Sequence, residues 1–211
     1  MKTLHALSSV ALLASLLSAC SAGTASPSGT RPELPTGAEV RHPAASSGSP
    51  VYLSLLSDSG ESFYQTSVAA GQTVTTVDPS KWQGKEAGKT GEVSALVPTD
   101  ATNLKFSNTS AQVLLLHWAI WQDKNSNGKL EDGEDLALIT HDRVVYAAEP
   151  VSVSFTTASP KMNQTWTFTK GWSRAEHFVY LPQDTDTYER SLETKLPQRY
   201  ELHQPTPITS M

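Results

Sequence analysis

The stretch "QVLLLHWAIW", residues Gln112 to Trp121, is the most apolar run in the body of the chain. If the run is extended, one of its faces carries Leu114, Leu116, Trp118 and Ile120. A run that is apolar on both faces predicts a central strand covered on both sides, although periodicity alone does not exclude a helix. The strand is favoured because the turn-like "SNTS" precedes the run and the β-rich "LALITHDRVVYA" follows it.

Outward from this run, the chain contains further short apolar segments that turn residues separate at close intervals. Val, Thr and aromatic residues dominate these segments, and several alternate between apolar and polar positions, as half-buried strands do. The other candidate strands are "VYLSLL" (51–56), "QTVTTV" (72–77), "EVSALV" (92–97), "LALI" (136–139), "RVVYA" (143–147), "VSVSFTT" (151–157), "QTWTFT" (164–169) and "HFVYL" (177–181). The pattern predicts a mainly β fold, an antiparallel β-sandwich-like domain.

The sequence directly after the central run, "DKNSNGKLEDGE" (123–134), has every defined position of the EF-hand loop pattern. It resembles EF-hand loops and the calcium loops embedded in β-rich bacterial surface modules, here placed after the longest strand. The predicted metal ligands are Asp123, Asn125, Asn127, Lys129 through its backbone carbonyl, Glu131 and Glu134. All are hard oxygen donors, and their number favours Ca²⁺ over Mg²⁺. The alternative is an empty hairpin turn at Asn127-Gly128.

The N-terminus has the features of a secretory signal peptide, predicted over residues 1–19. Lys2 precedes an apolar stretch, and small residues precede Cys20, the only cysteine in the chain. The sequence "LSAC" resembles the lipobox of bacterial lipoproteins, which implies a lipid on Cys20. Ser21 then implies the outer membrane if the cell is diderm, and otherwise the outer face of the plasma membrane. The alternative is an ordinary signal peptide cleaved after Ala19, which leaves a free thiol.

Composition divides the rest of the chain into three parts. Residues 20–50 form a lipidated N-terminus and a flexible tether rich in Ser, Gly, Ala and Pro. Residues 51–181 are predicted to form the β-rich globular domain, and residues 182–211 a polar C-terminal tail with a possible short helix near Tyr188 to Lys195. Nucleic-acid-binding proteins usually carry clustered positive charge, whereas the formal net charge of this chain is -5, so no nucleic-acid partner is expected.

Three histidines are the candidates for catalysis. His117, His141 and His177 could pair with acids such as Asp142 and Glu176, but none has the spacing of a known catalytic or zinc motif. The chain is therefore not expected to be an enzyme. Asp142 is also a candidate auxiliary calcium ligand.

Together these features predict a membrane-anchored envelope lipoprotein with a calcium-binding structural or ligand-binding module. Its partners would be the membrane, through the lipid on Cys20, and an envelope protein or glycan that the sequence does not identify. One alternative is an envelope hydrolase that uses His141 and His177 with a nearby acid. The other is a helical EF-hand sensor. Of the five tryptophans, Trp82 and Trp172 are expected to be the most exposed.

Overall fold

The computed structural model describes residues 37–195 and 198–205, and strands dominate this part of the chain. Two 3₁₀ turns, Pro79–Lys81 and Val93–Leu96, are the helical segments described. The strands are β1 (Ala38–Arg41), β2 (Val51–Ser57), β3 (Ser62–Val68), β4 (Val74–Val77), β5 (Gly91–Glu92), β6 (Thr102–Phe106), β7 (Gln112–Gln122), β8 (Arg143–Ala147), β9 (Val151–Ala158), β10 (Lys161–Phe168), β11 (Gly171–Tyr180), β12 (Tyr188–Lys195) and β13 (Arg199–Glu201).

The central apolar run forms β7, the longest described strand. It lies inside a large sheet, with β2 hydrogen-bonded along one side and β8 along the other. Leu116, Trp118 and Ile120 enter one hydrophobic core, while Val113 on the opposite face enters another. The prediction of a central strand covered on both sides is confirmed.

The strands form two sheets in which most pairs are antiparallel. A three-stranded sheet has the order β13-β1-β4. The large sheet has the order β3-β2-β7-β8-β11-β12-β10-β9-β6, and the short β5 pairs with β7. The two parallel pairs are β1 with β13 and β10 with β12. The mainly β, antiparallel-rich fold predicted from the sequence is confirmed.

Two hydrophobic cores hold the sheets together. Val40 and Tyr200 of the three-stranded sheet share the first core with Leu53 and Trp118 of the large sheet, so the two sheets pack face to face there. The second core lies against the other end of the large sheet and includes Phe155. Each fully buried large apolar side chain contributes roughly 1.5–3 kcal/mol relative to an exposed one.

The domain extends beyond the predicted limits of 51–181. Strand β1 lies within the segment 20–50 that was expected to be a tether, and β12 and β13 lie within the expected tail 182–211. The helix expected near Tyr188 to Lys195 is instead β12. Because β10 and β11 flank β12, the sheet satisfies the backbone hydrogen bonds that a helix would have made internally.

Three smaller expectations were also wrong. The segment 92–97 is mostly a 3₁₀ turn, and 136–139 makes only an isolated bridge, because Ala137 has a φ of 53° that interrupts an extended strand. Trp82 is fully buried, with its ring centroid 5.7 Å from that of Trp118. Trp172 is half-buried and is the least buried of the five tryptophans, so the expectation for this residue is confirmed.

The signal peptide 1–19 and Cys20 lie outside the described residues. Within the part of the chain that the structure describes, no helix has the length and hydropathy needed to cross a bilayer.

Candidate functional site

Loop 123–134 follows β7 directly, and backbone hydrogen bonds hold its two ends together. The Asp123 N–H attaches the start of the loop to the Pro50 carbonyl at 2.8 Å, and across the loop the Gln122 N–H donates to the Glu134 carbonyl at 2.9 Å. One step further, the Leu136 N–H donates to the Ile120 carbonyl at 3.1 Å. A strand therefore leads into the loop, which excludes a helix–loop–helix EF-hand at this position.

The carboxylates at the first and last positions of the loop are buried. Asp123 is 1% exposed and Glu134 is 4% exposed. Asp123 accepts hydrogen bonds from the Asn127 N–H at 3.1 Å and the Gly128 N–H at 2.8 Å. Glu134 accepts from the Lys124 N–H at 2.9 Å and the Glu131 N–H at 3.1 Å. The loop backbone is thus wrapped around two inward-facing acids.

Neither buried carboxylate has a cationic partner among the described residues. The loop lysines do not provide one, since the ammonium of Lys124 donates to the Gly133 carbonyl instead. Buried charges in proteins are usually paired with an opposite charge or bound to a metal ion. Asp123 and Glu134 therefore have the chemistry that a cation would satisfy.

The other predicted ligands lie between these two acids. The side-chain oxygen of Asn125 accepts from the Asn127 N–H at 3.0 Å, and that of Asn127 accepts from the Lys129 N–H at 2.8 Å. Both amide nitrogens donate to the carboxylate of Glu131, at 2.7 and 2.9 Å. The structure thus connects five of the six predicted ligands by side-chain hydrogen bonds and joins Lys129 to them through its backbone.

Gly128 makes the sharp bend that the loop pattern predicts. Its φ is 71°, in the left-handed region that glycine adopts without strain, and its carbonyl accepts a hydrogen bond from the Gln65 amide at 3.2 Å. No group of three or more His, Cys, Asp and Glu side chains in residues 37–195 and 198–205 is arranged to hold a metal. A bound ion would therefore need amide and main-chain oxygens beside Asp123 and Glu134, as the predicted ligand set supplies.

A second feature is a cavity of about 770 Å³, which we call the histidine cavity. It lies where β8 begins and where one edge of β11 becomes unpaired, because β11 pairs with β8 only from Gly171 to Ala175 but with β12 as far as Tyr180. Beyond that point the carboxylate of Asp142 accepts the His177 N–H at 2.8 Å, in place of a strand. The lining includes His141, Asp142, Arg174, Glu176, His177 and His203.

The histidine cavity brings together residues that are distant in sequence. The rings of His141 and His177 lie with their centroids 4.7 Å apart. Arg174 binds Asp142 through Nε at 2.9 Å and Nη2 at 2.7 Å, and its Nη2 also donates to Glu176 at 2.9 Å. The guanidinium carbon of Arg174 lies 5.9 Å from the ring centroid of Tyr200. Arg174 is thus the centre of a compact charged network.

Burial lowers the pKa of His141 and His177 in this cavity. Burial is the largest cause that lowers the pKa of His177 to about 3, and the charges of Arg190, of His141 once it is protonated, and of Arg143 lower it further. Burial and the same two arginines also lower the pKa of His141. Both imidazoles are therefore uncharged at neutral pH, and each offers one donor and one acceptor nitrogen.

Three buried polar atoms beside the histidine cavity have no hydrogen-bond partner among the described residues. They are Nε2 of His177, Nε2 of His203 and the hydroxyl oxygen of Tyr200. Such atoms usually find a partner in a native protein, and unpaired ones need an explanation. The cavity is therefore a polar site rather than a packing defect in an apolar core.

The structure separates some residues that the sequence grouped. His117 lies on β7, where its ring nitrogen is 3.7 Å from a carboxylate oxygen of Asp58. His117 does not line the histidine cavity. Asp142 binds Arg174 and the His177 backbone, so it does not serve loop 123–134 as an auxiliary ligand. Sequence reasoning missed Arg174, Tyr200 and His203, because no local motif connects them to the histidines.

One segment connects the two sites. Residues 135–142 lead from Glu134 directly to the cavity residues His141 and Asp142. The segment is held to the rest of the domain by bridges from Asp135 to Trp121 and from Ile139 to His203. The end of loop 123–134 and the wall of the histidine cavity are therefore parts of one continuous backbone element.

Comparison with known proteins gives no further assignment: no family model matches the chain, and no curated protein or solved structure is detectably similar to it.

Proposed function

We propose that this protein is a lipid-anchored module of the cell envelope that binds Ca²⁺ in loop 123–134 and a ligand in the histidine cavity. The observation that carries the calcium assignment is the pair of buried carboxylates, Asp123 and Glu134, that have no described cationic partner. The ion would be held by Asp123, Asn125, Asn127, the Lys129 carbonyl, Glu131 and Glu134.

A structural ion fits this loop better than a signalling ion. If Glu131 joins the two buried acids on the ion, the loop supplies three acidic ligands and two amides, which corresponds to the weak end of the EF-hand range, with a Kd of about 10⁻⁵–10⁻³ M. Such a site would be filled outside the cell, where the leader sequence and "LSAC" direct the protein. The anchor itself rests on that sequence pattern and on Cys20 as the only cysteine.

Titration calorimetry on the metal-stripped protein tests the calcium assignment. We expect Asp123→Asn to weaken Ca²⁺ binding at least about tenfold, because it removes a ligand charge while keeping an oxygen for the backbone N–H groups. Asp132→Asn is the matched control, since Asp132 lies in the same loop but is exposed and outside the ligand set. Equal affinities for the parent and both variants, or no binding at millimolar calcium, would refute the assignment.

An envelope hydrolase is the second candidate, and one observation favours it: His141, His177 and Asp142 meet in one cavity. Two others favour binding. Asp142 is already engaged by Arg174 and the His177 N–H, and His177, with a pKa lowered to about 3, is a weak base at neutral pH. Hydrolysis of an ester, peptide or glycan that is lost in both His141→Ala and His177→Ala would instead establish the hydrolase.

A further inference from the structure

An exposed aromatic pair adjoins the histidine cavity. Phe178 and Tyr180 are 59% and 50% exposed, and their ring centroids lie 5.6 Å apart with a tilt of 38°. They alternate along β11, so they lie on one face of the strand, and Phe178 lines the cavity. Exposed aromatic side chains grouped beside a cavity are typical of binding sites, whereas scattered apolar residues need no explanation.

The charges in the cavity wall balance. Arg41, Arg174 and Arg199 line the cavity together with Asp142, Glu176 and Glu201, and burial lowers the pKa of His141 and His177. Arg174 is shared by two carboxylates, and Arg199 lies 3.6 Å from Glu39. The three carboxylates would repel an anionic ligand, and the three arginines would repel a cationic one. The wall therefore matches a neutral ligand that both donates and accepts hydrogen bonds.

We propose that the histidine cavity binds a neutral carbohydrate, with Phe178 and Tyr180 stacking against the apolar face of a sugar ring. Sugar hydroxyls donate to carboxylates and accept from guanidinium groups, so a single ring can satisfy a mixed wall of Arg and Glu side chains. The C–H face of the ring matches the aromatic pair. A volume of about 770 Å³ falls within the range of roughly 300–1,000 Å³ typical of ligand sites. The inference rests on the proposed role of the cavity as a ligand site.

The test uses the full protein and neutral tetrasaccharides of glucose and of N-acetylglucosamine, measured by titration calorimetry. Cosedimentation with insoluble cellulose and chitin distinguishes a wall polymer from a soluble fragment as the source of the sugar. We expect Phe178→Ala to weaken binding about tenfold, as truncation of a central aromatic contact does. Leu104→Ala is the matched control, since Leu104 is 47% exposed on β6 and does not line the cavity; it should bind as the parent does.

Charge provides a second variant that leaves the aromatic pair intact. Glu176→Gln keeps the shape of the side chain but gives the wall an excess of positive charge. We expect it to bind the sugar several-fold more weakly and to gain affinity for inorganic phosphate, while Glu92→Gln, at an exposed position of β5, should change neither.

The proposal is overturned if none of the saccharides binds at millimolar concentration, if phosphate or an extended peptide displaces them, or if Phe178→Ala binds as the parent does. Calcium titrations of the same samples separate this result from the calcium assignment. Calcium binding without sugar binding would refute the carbohydrate site alone.

Discussion

The carboxylate of Glu134 accepts a hydrogen bond from the backbone N–H of Lys124 at 2.9 Å and thereby joins the last position of loop 123–134 to its second. The same carboxylate accepts the Glu131 N–H through its other oxygen at 3.1 Å. Glu134 is 4% exposed, so both bonds are made away from water. In the structure Glu134 closes the loop through these two bonds, and it is also the predicted bidentate ligand.

Calcium should therefore stabilise the fold through Glu134. A ligand that binds only the folded state adds about 2.7 kcal/mol to the free energy of unfolding when its free concentration is a hundredfold above Kd. For a domain of this size the melting temperature should rise by roughly 5–10 °C. Calorimetric melting of the metal-stripped protein with and without millimolar calcium measures the rise. Glu134→Gln should remove most of this rise in melting temperature, and Asp132→Asn should preserve it. If the parent protein melts at the same temperature with and without calcium, the loop is a simple turn that binds no ion.

Tyr200→Phe should raise the free energy of unfolding. The hydroxyl of Tyr200 is buried without a described partner, and burial raises its pKa above the usual range. Removing an unsatisfied buried group while keeping the ring against Trp118 should raise the free energy of unfolding by about 1 kcal/mol. Urea unfolding measures the change, with Tyr180→Phe, at a half-exposed ring, as the neutral control. A loss of stability would show that the hydroxyl is hydrogen-bonded, for example to water.

Stability should fall as the pH falls below about 6.5, the ordinary pKa of histidine in an unfolded chain. Burial, Arg190, His141 and Arg143 lower the folded-state pKa of His177 to about 3, so the unfolded state binds the proton more tightly. The stabilising contribution is complete above pH 6.5 and is lost progressively as the pH falls toward 3. His141 acts in the same direction.

Urea unfolding between pH 7 and pH 4.5 measures this dependence. His177→Gln should reduce the slope of the free energy of unfolding against pH. The reduction is at most about 1.4 kcal/mol per pH unit, which corresponds to one proton. His42→Gln provides a comparison at a buried histidine whose ring nitrogens have partners in Pro43 and Thr75. If the His177 variant has the slope of the parent, this residue is not the source of the acid sensitivity.

Cys20 should carry the lipid. Expressed in a bacterial host, the parent protein should partition into detergent and incorporate a palmitate analogue, whereas Cys20→Ala should do neither. Ser21→Ala changes the neighbouring residue without removing the thiol and should be labelled as the parent is. Labelling that survives in Cys20→Ala would refute lipidation at this position.

The hydrophobic pattern predicted the centre of the fold but not its edges. β7 was recognisable because Leu116, Trp118 and Ile120 are spaced for one face, and both of its faces are apolar. β3 and β6 were missed because they are mostly polar edge strands, in which pairing on one side is enough. A local hydrophobic pattern reveals a strand through its buried side chains, and β3 and β6 have few buried side chains.

β12 shows how tertiary context overrides a local pattern. Its sequence "YERSLETK" places charged residues at spacings that also suit a helix surface, and only Leu192 is fully buried. Pairing with β10 and β11 decides for the strand, and those partners come from other parts of the chain. The range of loop 123–134 followed directly from its spacing, because its hydrogen bonds are local.

The histidine cavity could be predicted only in part, for the same reason. His141, Arg174 and Tyr200 come from a loop, from β11 and from β13, and only the sheet order brings them together. The sequence identified His141 and His177 as residues of interest. It could not show that Arg174 binds Asp142, the acid that would otherwise have been available to the two histidines.

If loop 123–134 binds Ca²⁺ and the histidine cavity binds a ligand, the segment 135–142, which leads from Glu134 to His141 and Asp142, would couple the two binding events. Ordering this backbone at one end reduces the entropy cost of ordering it at the other. The resulting cooperativity must be reciprocal: whatever factor calcium adds to the affinity of the cavity, a ligand in the cavity adds to the affinity of the loop for calcium. A weak calcium site would then bind its ion most tightly on those molecules whose cavity is already occupied.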